Sequence, residues 1–414
     1  MRNAIEAALV VNPILLSFLV VNNDNLVSDL SLFVSIQQTR EVLDRCIQDY
    51  GVVDTLDDVR SVAMNYPYPD HTKLPGPLFR TLLLFVRQTS STAAIINIGH
   101  SVIDKTSHQH FLHDVNRALR GESLTPHVSY KKWADEYHLL RRSPFAECAI
   151  EFHSKYLCDL KEHCHVLWPF PTYRLAITPE RNHLDGHYMS FSATGLLKLC
   201  RVHPLLTPSV VIKSALALLV ISRTNHTHAL FGSFEASRSD FPFSSDQNAT
   251  NDTMDIAGPV FNVLVNLVAF RPKESVLNYL LAMQQEQSLF NKHATVPWRE
   301  VFSRIRCTDK TFAQIADALL YNWMPGLSAL VAGPVPYGSM EVSQIQIRAK
   351  FGMLVNAGIS QNGTEVILQF EGSLANRSTM WIERVGEELK NICLWLVKEE
   401  SWSLPLENFT QSIF

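Results

Sequence analysis

No uninterrupted apolar run in these 414 residues reaches the length of a membrane-spanning helix, so no integral helical membrane protein is expected. A surplus of positive charge is missing as well. The formal net charge is −4, the pI is about 6.5 and no basic face stands out, so nucleic acid is not an expected partner. The seven cysteines are odd in number and follow no regular spacing, which fits a reduced, cytoplasmic chain rather than a disulfide framework. The opening "MRNAIEAALVVNPILLSFLVV" is apolar, but Glu6, Asn12 and Pro13 interrupt it and no small-residue cleavage site follows. It therefore reads as a folded helix and strand, not a secretion signal. Without such a signal, the Asn-x-Ser/Thr triplets at Asn225 and Asn376 are expected to be inert. Low-complexity tracts and short-period repeats are absent. "CDLKEHCHVLW" gathers Cys158, His163, Cys164 and His165, but these are crowded and no second half-site matches them, so no metal is expected.

What is present is a chain that is 46% hydrophobic, long enough for two or three domains' worth of buried core. Residues 4–11 carry apolar side chains at helical spacing, and "ILLSFLVV" reads as a strand. Runs at about 78–87 and 93–99 flank the polar "QTSS" and predict a hairpin. The second run is apolar on both faces, which predicts a central, buried strand. It ends at Gly99–His100, and "SHQHFLHDVNRALRG" then predicts a helix with Gly121 as its stop. His108, His110 and His113 on that helix read as surface or packing residues. Further helices are expected at "SYKKWADEYHLLRR", beyond Pro144, and after Thr207–Pro208, where a cap precedes proline at the first helical position. Strands are expected at "HYMSFS", "HALFGSFEAS", "PVFNVLVNLVAFR" and "EVILQFEG". The proline-rich stretch of about 165–184 reads as a linker between residues 1–170 and 185–414. The fold class is α/β.

The stretch "NIGHSVIDKTS", residues 97–107, thus lies between a strand and a helix, where loops that carry chemistry often sit. His100 and Asp104 alone would be a weak signal. Several further segments stand with them in order. "VNPILLSFLV" is similar to "RHxxLRTxF". "GHSVIDKTS" is similar to "HHxxxDGxS". "SYKKWADEY" supplies Tyr130 and Trp133. "FGSFEASR" and "DIAGPVFNVLVNLVAF" supply Gly232, Arg238, Gly258, Phe261 and Asn262. "LFNKHATVPWREV" supplies His293 and Pro297. In that order the chain resembles the condensation domains of nonribosomal peptide synthetases, within the chloramphenicol-acetyltransferase-like group.

The resemblance implies two acyltransferase-like lobes in a V-shaped pseudo-dimer, the first shortened at its N-terminus, with a channel that leads donor and acceptor to His100. No bound cofactor is implied. The substrate would be an acyl thioester on phosphopantetheine or coenzyme A. The partner would be an acyl or peptidyl carrier protein, in trans or from a parent synthetase, and the chain is expected to be a monomer. His100 would be the catalytic group, since an imidazole can take a proton from an attacking amine near neutral pH. Asp104 would hold the loop by an ion pair, and Gly99, Lys105, Ser107, Gly258 and Asn262 would line the channel. Three positions depart from the family pattern: Gly99 replaces a histidine, Lys105 a glycine, and Leu16 the arginine that pairs with the aspartate, leaving Arg80 as a substitute. A small residue before the histidine and Ser107 at the end are similar to fungal terminal domains, which release a peptide by cyclisation in secondary metabolism. "GSL" at 372–374 lacks the context of a carrier serine. Three readings stay open: amide formation, including cyclising release; a freestanding acyltransferase to a soluble amine or alcohol; and a degenerate domain that only docks carrier proteins.

Overall fold

The computed structural model describes residues 1–21, 31–66, 78–169, 187–236, 238, 253–324, 335–342, 352–372 and 379–409. Most of the expected linker and the triplet at Asn376 lie outside the described residues. Two compact units form. One comprises Met1–Leu139, Arg238–Phe261 and Pro336–Glu341; the other comprises Leu140–Ser237, Asn262–Val335 and Val342–Phe414. The division expected at residues 170–185 does not coincide with them. Packing explains the difference: Ala149, Ile150, Leu157 and Leu160 are buried in one core with Leu264, Phe290 and Phe302 of the second unit. No helix of the described residues is long and apolar enough to cross a membrane.

The first unit opens with the helix Arg2–Val11, which buries Ala4, Ile5, Ala8 and Leu9. Pro13 opens a 3-10 turn, Pro13–Leu16, so the strand expected from Ile14 begins only at Ser17. Ser17–Val21 pairs antiparallel with Ser31–Ser35. A three-stranded sheet follows, ordered Ile47–Val53, Phe79–Val86, Ser91–Ile98. The predicted hairpin is present, with Phe79 opposite Ile98 and Val86 opposite Ser91. Its second strand is not central, however. Among the described residues it is an edge, and it is exposed at Ser91 and Thr92 while Ile95 and Asn97 are buried. Apolar composition on both faces there reflects a strand whose far half alone is covered. The helix Lys105–Leu119 packs along Arg2–Val11. Phe79 and Phe111 meet edge to face at 5.5 Å, both fully buried. Each such side chain contributes about 1.5–3 kcal/mol by leaving water.

The second unit is built on a six-stranded sheet in the order Phe261–Ala269, His228–Ala236, Leu319–Trp323, Met353–Ile359, Glu365–Glu371, His187–Ser192. The predicted helix Pro208–Thr224 is apolar on every side and buried from Val210 to Ile221, as a core helix must be. Lys213 and Ser214 are the exceptions in that run; the ammonium donates to Gln287 at 2.7 Å and the Ser214 hydroxyl to the Val210 carbonyl at 2.8 Å.

A polar ladder crosses four of these strands. Asn322 donates to Asn356 at 2.8 Å, Asn356 donates to Glu371 at 3.2 Å, and Gln369 donates both to Glu371 and to the Tyr188 hydroxyl. Glu371 is buried, and burial pushes its carboxyl up to about 7 against the donors' pull. Its folded value exceeds the unfolded value of about 4.3, so the folded state favours the neutral acid. That stability is full below pH ~4.3 and is lost as pH rises through about 7. Glu371→Gln is therefore expected to raise stability at pH 8 by about 1–3 kcal/mol and to leave it nearly unchanged at pH 4. Urea titrations at both values test this; an equal effect at the two pH values contradicts it.

Candidate active site

The loop "GHSVIDKTS" is fixed from both sides. The Gly99 amide donates to the Leu78 carbonyl at 2.7 Å, which extends the hairpin pairing by one residue. His100–Val102 forms a 3-10 turn, closed by Val102 N–H to the Gly99 carbonyl at 3.0 Å. Val102 and Ile103 are buried and anchor the turn, which leaves His100 exposed. Its imidazole meets the Phe261 ring edge-on, with centroids 5.2 Å apart. Among the described residues it has no hydrogen-bond partner, so both ring nitrogens are open to a substrate.

Asp104 caps the following helix. It accepts the Ser107 amide at 2.8 Å, and Ser107 Oγ in turn accepts the Asp104 amide at 2.9 Å, a reciprocal capping box. The carboxylate also has the ion-pair partner that the resemblance implied, though neither Leu16 nor Arg80 supplies it. Leu16 is buried in the 3-10 turn, and Arg80 lies near Cys46 and Tyr66. Arg238 Nη2 reaches Asp104 Oδ1 at 2.9 Å and Oδ2 at 2.7 Å. The Val260 amide adds a further bond to Oδ2 at 3.0 Å. Arg238 is 3% exposed and donates besides to the carbonyls of Thr253, Ile256 and Gly258. One guanidinium thus ties the loop aspartate to the 253–260 segment, whose Ile256–Ala257 pairs parallel with Val128–Ser129.

The expected lining residues have other engagements. Ser107 is buried inside the capping box, so its hydroxyl serves the helix start. Gly258 is a close approach: a Cβ there would come 2.2 Å from the Tyr130 ring. That ring heads a stack with Trp133 at 5.1 Å, which continues to Tyr137 at 5.0 Å. Lys105 is half-buried in the first helical turn, and burial lowers its pKa. A cation at a helix N-terminus also opposes the helix dipole. Gly99 is buried in an ordinary extended conformation. Asn262 belongs to the second unit and donates to the Ala294 carbonyl at 2.6 Å. His293 stacks on Phe152 at 4.7 Å, and its carbonyl accepts from His153 at 3.0 Å, so the histidine of that segment serves packing.

A second network lies beside the helix. His127 Nε2 bonds Asp114 at 2.8 Å and Nδ1 bonds Asp255 at 2.6 Å. Asn12 also donates to Asp114, at 2.7 Å, and His110 stacks on His127 at 4.9 Å. Two carboxylates on both ring nitrogens call for the doubly protonated imidazolium. The bond to Asp114, with Asp255 adding to it, raises the His127 pKa against burial. A raised histidine stabilises the fold fully below pH ~6.5, and that contribution is lost as pH rises through the higher folded value. Stability is expected to fall over that window, and His127→Gln is expected to flatten the fall. Denaturation midpoints from pH 5.5 to 9 (about one-unit steps) test this; an identical slope in the variant refutes it.

No family model and no curated protein matches the sequence. Solved structures do. A four-domain nonribosomal peptide synthetase, holo-AB3403, bound to AMP and glycine, matches with a TM-score of 0.71 at 13% identity over 98% of this chain. This chain spans only 30% of that synthetase. A mutant of the starter condensation domain of rhizomide synthetase, in complex with C8-CoA, gives 0.68 at 13% identity, covering 98% of this chain and 87% of its own. The epimerization domain from the third module of tyrocidine synthetase B gives 0.62 at 12% identity, covering 96% and 88%. The fold of this chain is that of the condensation domains of nonribosomal peptide synthetases.

Proposed function

We propose that this chain is a condensation-type acyltransferase that forms an amide from a carrier-bound acyl or peptidyl thioester. The observation that carries the reading is His100: an exposed imidazole on a short loop whose aspartate is held by a buried arginine. In the reaction the amine attacks the thioester carbonyl, the C–N bond forms, the C–S bond breaks and the thiol leaves. The amine must lose a proton to keep the new bond. A neutral imidazole edge-on to Phe261 can accept that proton and hand it to the departing sulfur. The substrate arm would be phosphopantetheine or coenzyme A. One structural neighbour holds C8-CoA, which supports a thioester donor for this fold.

The finer reading is cyclising release, with the nucleophile on the peptide itself. It rests on Gly99 before His100 and on the resemblance to fungal terminal domains. Burial of Ser107 gives that residue a role in the loop instead of at the acceptor. Mass spectrometry of turnover tests both levels. Peptidyl-carrier thioesters are offered with and without a free amine, in deuterated and ordinary water. Product without added amine supports cyclisation, and product that requires the amine supports transfer. Deuterium at the α-carbon with no new amide would point to epimerisation. Carrier binding without any turnover across a broad donor set would point to docking, and either result overturns the proposal.

A further inference from the structure

Three histidines outside the loop converge in the second unit. His163 ends the short helix Leu160–His163, whose first residue Leu160 is buried like Leu157 before it. His228 opens the strand His228–Ala236, and His226 lies two residues before it. The helix Pro208–Thr224 ends at Asn225 in a left-handed conformation (φ 51°, ψ 38°), which turns the chain into that strand. The bend at Thr227 leaves the His226 and His228 rings with centroids 6.5 Å apart. His163 stacks on His228 with centroids 3.9 Å apart and meets His226 edge-on at 5.2 Å. One ring nitrogen from each of the three lies within 4.8 Å of the others. His165 adds a fourth ring, edge-on to His226 at 5.7 Å.

We propose that His163, His226 and His228 form a binding site for a divalent ion of the zinc class. The donor set is three imidazoles, the ligand type that zinc and its transition-metal neighbours favour and that magnesium and calcium do not. Zinc–nitrogen bonds of 2.0–2.1 Å in a tetrahedron put nitrogens about 3.4 Å apart, so closing on the ion takes ring shifts of roughly 1 Å. The Nδ1 of His163 is buried without a hydrogen-bond partner among the described residues, a cost that a cation would remove. His228 Nδ1 bonds the Thr227 hydroxyl at 3.0 Å, the outer support that aims a ligand's other nitrogen. The His228 amide to His226 Nδ1 is long, at 3.4 Å, and an ion at that nitrogen would replace it. The cluster of His110, His127 and Asp255 is different, because His127 and Asp255 already bond each other. The spacing of Cys158, His163, Cys164 and His165 offered no second half-site. The fold supplies one from residues 226–228, across the chain. Of the cysteines, Cys158 is exposed and Cys164 donates to the Lys161 carbonyl, so neither belongs to the set.

The test is zinc titration of the full chain, freed of any tag and stripped of metal, against a chromogenic zinc indicator. One saturable equivalent is expected. Its affinity should fall at least about tenfold in His163→Gln, His226→Gln and His228→Gln, and stay unchanged in His110→Gln. Cobalt(II) should give the intense visible bands of a tetrahedral site in wild type and lose them in the three variants. Should a variant fail to fold, zinc protection of these histidines from diethyl pyrocarbonate in wild type replaces it. Absence of saturable binding, binding equal in the three variants, or no protection overturns the site.

Discussion

Arg238→Ala is expected to destabilise the first unit by about 3–5 kcal/mol, the loss measured when one partner of a buried ion pair is removed. The reason is what the arginine leaves behind. Asp104 would keep its capping-box bonds and the Val260 amide, but its charge would stay largely out of water without the guanidinium that pairs with it. The carbonyls of Thr253, Ile256 and Gly258 would lose their donor in the same step. Arg238→Lys should recover only part of the loss, because an ammonium cannot keep the fork on two carboxylate oxygens and the carbonyls together. Lys131–Asp135 is the contrast: both side chains are exposed, and such a pair contributes little. Thermal and urea unfolding of Arg238→Ala beside Lys131→Ala decides it. Equal midpoints would mean that the buried pair is no knot, and the positioning of His100 would need another account.

Much of this was legible in the sequence, and what was not has a common cause. The helix after the loop, the hairpin before it and the buried helix from Pro208 follow from local spacing and from caps. Arg238 stood in a recognised segment, yet its partner lies 134 residues away, and no local pattern encodes that meeting. Phe261 against His100 was hidden in the same way. Composition misled where burial is uneven along one element, as in Ser91–Ile98, whose apolar faces belong to an edge. The 140–167 stretch was assigned to the first half by position in the chain. Its Ala149, Ile150 and Leu157 went where a complementary apolar surface was, beside Leu264 and Phe290. The polar ladder around Glu371 draws on four strands, and each contributes a residue that reads as unremarkable alone.

His100→Ala should separate chemistry from architecture. The ring is exposed and, among the described residues, its one ring contact is Phe261, so its removal should change stability by no more than about 0.5 kcal/mol. Amide formation should fall by about 10²–10⁴, the usual contribution of a positioned acid–base group. Arg238→Ala should lose turnover and stability together, since it acts by holding the loop. A conservative check follows from Asp104→Asn. Asparagine still caps a helix well, so the helix should survive, but the arginine loses its counter-charge. Turnover in that variant should drop with a lowered melting temperature, whereas His100→Ala drops turnover at an unchanged one. Full activity in His100→Ala would remove the imidazole from the reaction. The loop would then be a scaffold held by Asp104 and Arg238, and the proton transfer would belong to another group.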